Sequence, residues 1–325
     1  MKTAAYTGRK AREGFIVSGV GSFFKELFKN RQLYILAVPA MLLLFLFNYM
    51  PLFGLVIAFK NFKAADGIFG SEWASPLFVN FKFLISSEQA IRAIRNTIFL
   101  NALFITIGTV AAVTFALLLN EMAGKWFKKL FQTLTFLPYF ISWIVVGVFA
   151  YNIFNSEYGS LNNLLVSMGM EEMSWYSTPG VWPVILVFIY IWKSLGYGSV
   201  IYMASLSGID TSYYEAAEID GATKMLQIRY ISLPMLRPTI IILTLLSLGK
   251  IMNADFGMFY AIVGDASMLY PTTDVVDTFV YRGIRVTGDV GMASAAGFFQ
   301  SIISFVLVIG SNAVVRRIDQ DSSLF

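Results

Sequence analysis

Six long stretches of mainly apolar residues constrain this chain more than any single motif. They fall at about 33–59, 97–119, 130–154, 181–206, 239–263 and 293–315. A helix needs roughly 20 apolar residues to cross about 30 Å of hydrocarbon, and each run is long enough. Lipid offers no partner for a free N–H or C=O, so such runs imply an all-α integral membrane fold of about six spans. Composition agrees: 57% of residues are hydrophobic and only 14% are charged, outside the range of soluble domains. The first run exceeds the necessary length, which implies tilt, and Pro39 and Pro51 mark positions for kinks within it. It is also too long for a signal-peptide core, and no A-x-A-like cleavage site follows it.

The distribution of Lys and Arg orients these spans. Cytoplasmic loops carry the excess of positive charge. With the N-terminus inside, segments 1–32, 120–129, 207–238 and 316–325 hold fifteen of the 24 basic residues. Segments 60–96, 155–180 and 264–292 hold seven, and Lys193 and Lys250 fall inside spans. Both termini are therefore expected in the cytoplasm, and so is 207–238. The basic segment 1–32 precedes a membrane domain taken as 33–325. Its Phe15, Phe23, Phe24, Leu27 and Phe28 suit either a short amphipathic helix on the membrane surface or a solvated tail that orients the first span.

Several chemistries are excluded. The chain has no cysteine and no histidine, which removes disulfides, thiolate nucleophiles and the commonest general base and metal ligand. No G-x-x-x-x-G-K-[ST] loop occurs, so nucleotide energy has to come from a partner. No metal, cofactor, catalytic residue or nucleic acid is expected.

The polar interval 211–238, TSYYEAAEIDGATKMLQIRYISLPMLRP, reads as structured. Ser212 and Glu215 have capping-box spacing, which starts a helix. Gly221 permits a sharp turn between two helical pieces, and Pro234 and Pro238 are expected to end regular helix before the next run. From spacing alone this is equally an ordinary amphipathic loop helix.

The ordered residues Glu215, Ala216, Ala217, Asp220, Gly221, Ala222, Leu233 and Pro234 resemble the EAA loop of permease subunits of binding-protein-dependent ABC importers. That resemblance implies a coupling helix docked on a separate ATP-hydrolysing subunit. It also implies two ATP-binding subunits, a second homologous permease and an extracytoplasmic solute-binding protein, in a bacterial-type inner membrane. Tyr49-Met50-Pro51, Ala58-Phe59-Lys60, Arg95-Asn96-Thr97, the stretch DVVDTFVYRG at 274–283 and the small-residue run 291–297 resemble the branch that imports complex carbohydrates. IVGDASMLYP at 262–271 replaces the Thr-Gly-Gly-Gly-Pro turn of commoner sugar permeases. The implied cargo is an oligosaccharide or polysaccharide fragment, and its charge stays open.

Ionisable groups at membrane depth are costly and so are functional candidates. These are Lys193 in the fourth run and Lys250, Asn253 and Asp255 in the fifth, with cross-helix ion pairing to Asp255 as the structural alternative. Tyr139 and Trp143, spaced i and i+4, and Tyr190 and Trp192 supply rings on which sugar C–H faces stack. Trp126, Trp175 and Trp182 suit an interfacial belt. A self-sufficient ion-coupled secondary transporter using Asp255, Lys193 and Lys250 is the alternative function, and a membrane scaffold without substrate is a third.

Overall fold

A computed structural model describes residues 29–318. The expected interfacial helix around Phe15–Phe28 lies outside them. Among the described residues the chain is helical, and its sole strand-like feature is an isolated bridge between Lys60 and Trp73. Contacts divide it between Val56 and Ile57. In the first unit, α1 (Arg31–Leu44) runs on through a π-turn at Phe45–Tyr49. Pro39 sits inside α1, and no residue from Arg31 to Tyr49 is buried.

The second unit contains α2 (Val79–Ser86), α3 (Glu88–Glu121), α4 (Lys125–Phe136), α5 (Trp143–Phe154), α6 (Ser160–Ser167) and α7 (Trp182–Ser207). It continues with α8 (Thr211–Ile219), α9 (Leu233–Leu248), α10 (Phe256–Ile262), α11 (Val276–Thr287) and α12 (Val290–Ile318). Ser87 starts α3 by accepting a hydrogen bond from the Ala90 N–H, and Ser142 starts α5 in the same way from Val145. Both side chains satisfy an N–H that the first helical turn leaves free.

Five helical stretches are long and apolar enough to cross a membrane: 31–59, 88–121, 179–207, 224–248 and 290–317. Four lie over expected runs. The fifth run, expected at 239–263, begins and ends earlier. Pro234 stands just after a π-turn, at the point where α9 continues from it, and does not end the helix. Pro238 lies inside α9 without ending it, and a π-turn at Ile228–Ser232 joins α9 to the helical turn Lys224–Gln227. The prolines thus sit within a continuous 25-residue helix.

The chain instead unwinds after Leu248, and neighbouring helices satisfy the exposed backbone. Asn101 of α3 donates to the carbonyls of Ile251 (2.8 Å) and Asn253 (3.3 Å). Gln300 of α12 donates to the Met252 carbonyl (2.7 Å), and Asp277 of α11 accepts from the Ala254 N–H (2.9 Å). Non-helical backbone persists at this depth only when protein takes over its hydrogen bonds.

The third run is also broken. Residues 125–140 and α5 meet at 96°, with Ile141 extended and Ser142 capping α5. Tyr139 and Trp143 therefore do not share one helix face. Small residues allow the close approach around this break: a Cβ on Gly147 would collide with the Ala261 carbonyl of α10, and one on Gly196 with backbone at Thr135–Phe136.

The core follows these contacts. Leu100 and Phe104 of α3, Val146 of α5, Leu186 and Ile189 of α7 and Met258 and Phe259 of α10 form its main cluster, closed by Trp182. Trp182 is wholly buried and donates its indole N–H to the Trp175 carbonyl (2.8 Å), so it belongs to the core and not to an interfacial belt. Trp126 is 67% exposed, as a belt residue should be. Two carbohydrate-branch stretches far apart in sequence also meet. Asn96 donates to the Asp274 carbonyl (3.1 Å), Thr97 accepts from the Val276 N–H (2.9 Å), and Arg282 pairs with buried Asp274 at 2.7 Å. Burial pushes the Asp274 carboxyl above the usual range, and Arg282 only partly opposes it.

Candidate functional site

The interval 211–238 folds around α8. The capping box expected at Ser212 and Glu215 is not formed. Asp210 is the cap, and its carboxylate accepts from the Ser212 N–H at 2.9 Å. This hydrogen bond holds Asp210 below the usual carboxylate range, because only the ionised form accepts it fully. Asp thus takes the capping position one residue before the helix, leaving Glu215 free to point outward.

The far end of α8 closes on Gly221, whose φ is +77°. The Gly221 N–H donates to the Glu218 carbonyl (3.0 Å), and that of Ala222 reaches back to Ala217 (2.8 Å). This is a Schellman closure, which needs a left-handed residue at that position. Lys224 then pairs with Glu218 at 2.7 Å and also donates to Gln227, which is buried. Lys224 lowers the Glu218 carboxyl below its ordinary value, with Gln227 adding to the effect. Tyr214 bonds Ser232 at 2.9 Å, tying α8 to the π-turn.

What this scaffold presents is apolar and acidic. Ile219 is 88% exposed, Met225 71% and Tyr213 53%. Glu215, Ala216, Asp220 and Gly221 are exposed, and Ala217 and Ala222 half-buried. Leu233 and Pro234 open α9 and are exposed too. No hydrogen bond or ion pair engages the Glu215 carboxylate among the described residues. An apolar patch of this kind on a polar loop suits docking by another protein.

The candidates at membrane depth separate into two groups. Lys193 is buried and donates to the carbonyls of Pro138 (3.2 Å), Tyr139 (2.8 Å) and Ile141 (2.5 Å). Its ammonium lies 5.1 Å from the Trp143 ring centroid and 5.7 Å from that of Tyr139. These carbonyls lie at the break in the third run, and that of Pro138 also accepts from the Ile141 N–H at 3.1 Å. Asp255 does not pair directly with either lysine. It caps α10 through the Met258 N–H (3.1 Å) and accepts the Trp143 indole N–H at 2.7 Å. Asn253 lies in the unwound stretch, where its carbonyl accepts from Asn101.

Tyr190 and Lys250 meet elsewhere, in a cavity of about 570 Å³ between α3, α7 and α9. Tyr190 stacks on Phe104 with ring centroids 4.6 Å apart, and Gly108 leaves room for the ring, whose edge lies 3.2 Å from where a Cβ would stand. Thr109, Ser194, Tyr197, Tyr202 and Ser247 add hydroxyls to the wall. Trp192 faces a different groove, with Phe188 and Ile153. Sequence reasoning passed over Tyr197, Ser194 and Thr109, because single hydroxyls scattered in apolar runs carry no periodic signal. It also passed over Asn101 and Gln300, although the cost of amides at membrane depth would have singled them out.

Residues 105–321 match the family described as "Binding-protein-dependent transport system inner membrane component". The chain belongs to this family. It is a multi-pass inner-membrane permease of an ABC importer and not itself the ATPase. The permease is 32% identical to Protein LplB of Bacillus subtilis (strain 168), over 94% of this chain and 95% of that one. It is 29% identical to the polygalacturonan/rhamnogalacturonan transport system permease protein YteP of the same organism, covering 91% of each. It also superposes with a TM-score of 0.82, at 32% identity, on a chain of a crystallised bacterial ABC transporter involved in import of the acidic polysaccharide alginate. That match covers 92% of the permease and 99% of the other chain.

Proposed function

We propose that the permease forms half of a translocation pathway for an oligosaccharide or polysaccharide fragment, beside a second homologous permease. Two ATP-binding subunits drive it through residues 211–238, and a solute-binding protein delivers the cargo from outside. The observation that carries this reading is the α8 surface. A short helix is fixed at one end by Asp210 and at the other by Gly221; it presents Glu215 and Ile219, with Met225 exposed in the turn beyond, and among the described residues no hydrogen bond or ion pair engages the Glu215 carboxylate. A helix held at both ends transmits a push without fraying. The named cargoes of similar permeases, a polygalacturonan/rhamnogalacturonan and alginate, support the saccharide assignment. The cavity holding Tyr190 fits it chemically, with ring faces for sugar C–H groups and hydroxyls for sugar hydroxyls.

Lys193, Trp143 and Asp255 are engaged with protein partners, which leaves the ion-coupled alternative without a free acid at that point. In proteoliposomes carrying the assembled importer, Gly221→Pro and Glu215→Lys should abolish saccharide uptake and binding-protein-stimulated ATP hydrolysis. The variant permease should still reach the membrane in normal amount. Unchanged stimulated hydrolysis in both variants would overturn the coupling assignment.

A further inference from the structure

Lys193 lies inside the spanning stretch 179–207 and Lys250 two residues past the spanning stretch 224–248, and their surroundings differ in kind. Lys193 has its charge met by three carbonyls and two rings. Lys250 has none of this. It follows the last turn of α9, is exposed, and lines the cavity between α3, α7 and α9. Among the described residues no carboxylate pairs with it and no hydrogen bond to its ammonium is made. Leu243, Leu246 and Ser247 of α9 line one side of the cavity, and Lys250, in the turn that follows α9, lines it with them. An uncompensated cation against the end of a membrane span is retained only in a watered cavity and marks a function there.

The rest of the wall holds no acid. It offers Tyr190, held by Phe104 and Gly108, together with Tyr197, Tyr202, Thr109, Ser194 and Ser247. Ser194 and Ser247 donate to carbonyls of their own helices, at Tyr190 (2.6 Å) and Leu243 (2.8 Å). Their oxygens remain as acceptors facing the cavity. Ring faces, hydroxyl acceptors and one free ammonium together match a sugar ring bearing one negative group.

We propose that Lys250 reads a carboxylate on the passing saccharide, so that the cargo is an oligouronate and not a neutral glycan. This rests on the saccharide reading above and names its substrate class. A charge-assisted bond between ammonium and carboxylate is about twice as strong as a neutral one, and here it is made beside low-dielectric walls.

The test uses the assembled importer in nanodiscs without its binding protein, so that selectivity belongs to the membrane subunits. Binding of a galacturonate trisaccharide is compared with that of its carboxyl-reduced, neutral counterpart by equilibrium dialysis. Wild type should prefer the uronate about tenfold, equivalent to ~1.4 kcal/mol. Lys250→Gln should bring the two within about twofold through loss of uronate binding, and Lys250→Arg should keep the preference. Copurification of Lys250→Gln with the other importer subunits at wild-type yield certifies that it is folded. Equal binding of both sugars by wild type, or a preference surviving in Lys250→Gln, overturns the carboxylate assignment alone. Absence of binding by either sugar overturns the saccharide reading and this inference with it.

Discussion

Lys193, inside a spanning helix, and Lys250, just past the end of another, carry the same charge and reach opposite settlements. The 3-10 turn and break at residues 137–141 present Lys193 with three carbonyls, of which that of Pro138 also accepts from the Ile141 N–H. Truncating Lys193 takes its donor from those acceptors as well as removing the cation. Lys193→Met should therefore cost about 2–4 kcal/mol, the range for losing hydrogen bonds to a charged donor and leaving buried acceptors open. The measurement is the midpoint of thermal unfolding of the purified importer in detergent, beside Lys250→Met. The latter loses no internal bond and should melt with the wild type. Equal melting of Lys193→Met and wild type would mean that water already satisfies the carbonyls. The cost of charge at membrane depth singled out both lysines from sequence. Which one is consumed was not legible, because it depends on a helix break 52–55 residues away in sequence.

At the scale of the element, α8 shows how a boundary is set by one carboxylate. The capping spacing of Ser212 and Glu215 was a fair signal, but Asp210 stands two residues nearer the chain entry and ionises, so it takes the Ser212 N–H. The Ser212 N–H therefore holds the folded-state pKa of Asp210 below the ordinary aspartate value. A depressed carboxylate stabilises the fold fully above its unfolded pKa, and that stabilisation is lost as pH falls through the folded value. Protection of the first α8 amides against hydrogen exchange, corrected for intrinsic rates, should therefore be flat from neutrality to about pH 4 and fall below it. Asp210→Ala should lack this protection at every pH, and Asp210→Asn should keep part of it without the acid transition. The existence of six apolar runs was legible, and four kept their places. The third and fifth shifted or broke for reasons outside their own composition. Hydropathy cannot register that Pro234 and Pro238 sit within one continuous helix, nor that Asn101, Gln300 and Asp277 will tie down an unwound stretch after Leu248.

For the whole molecule the broken third run decides topology. Five helices alone would leave the two termini on opposite sides of the membrane, whereas the bent pair counted as one crossing puts them on the same side. The parity also fixes the site. If residues 125–154 cross, then 155–178 lie outside and the α7–α8 connection lies inside, where ATP-binding subunits reach α8. If that pair enters and returns, Glu171 stays inside and α8 is delivered to the outer face, where no ATPase can meet it. Fifteen basic residues on the inner segments against seven on the outer ones favour crossing. The absence of any cysteine makes a direct test simple. Glu171→Cys, Ser267→Cys and Thr223→Cys each place one thiol at an exposed position. A membrane-impermeant maleimide should label the first two in spheroplasts, and should label Thr223→Cys only after permeabilisation. Labelling of Thr223→Cys in sealed spheroplasts, with Glu171→Cys protected, would establish a re-entrant third run and place α8 outside. The permease could then not be driven through 211–238.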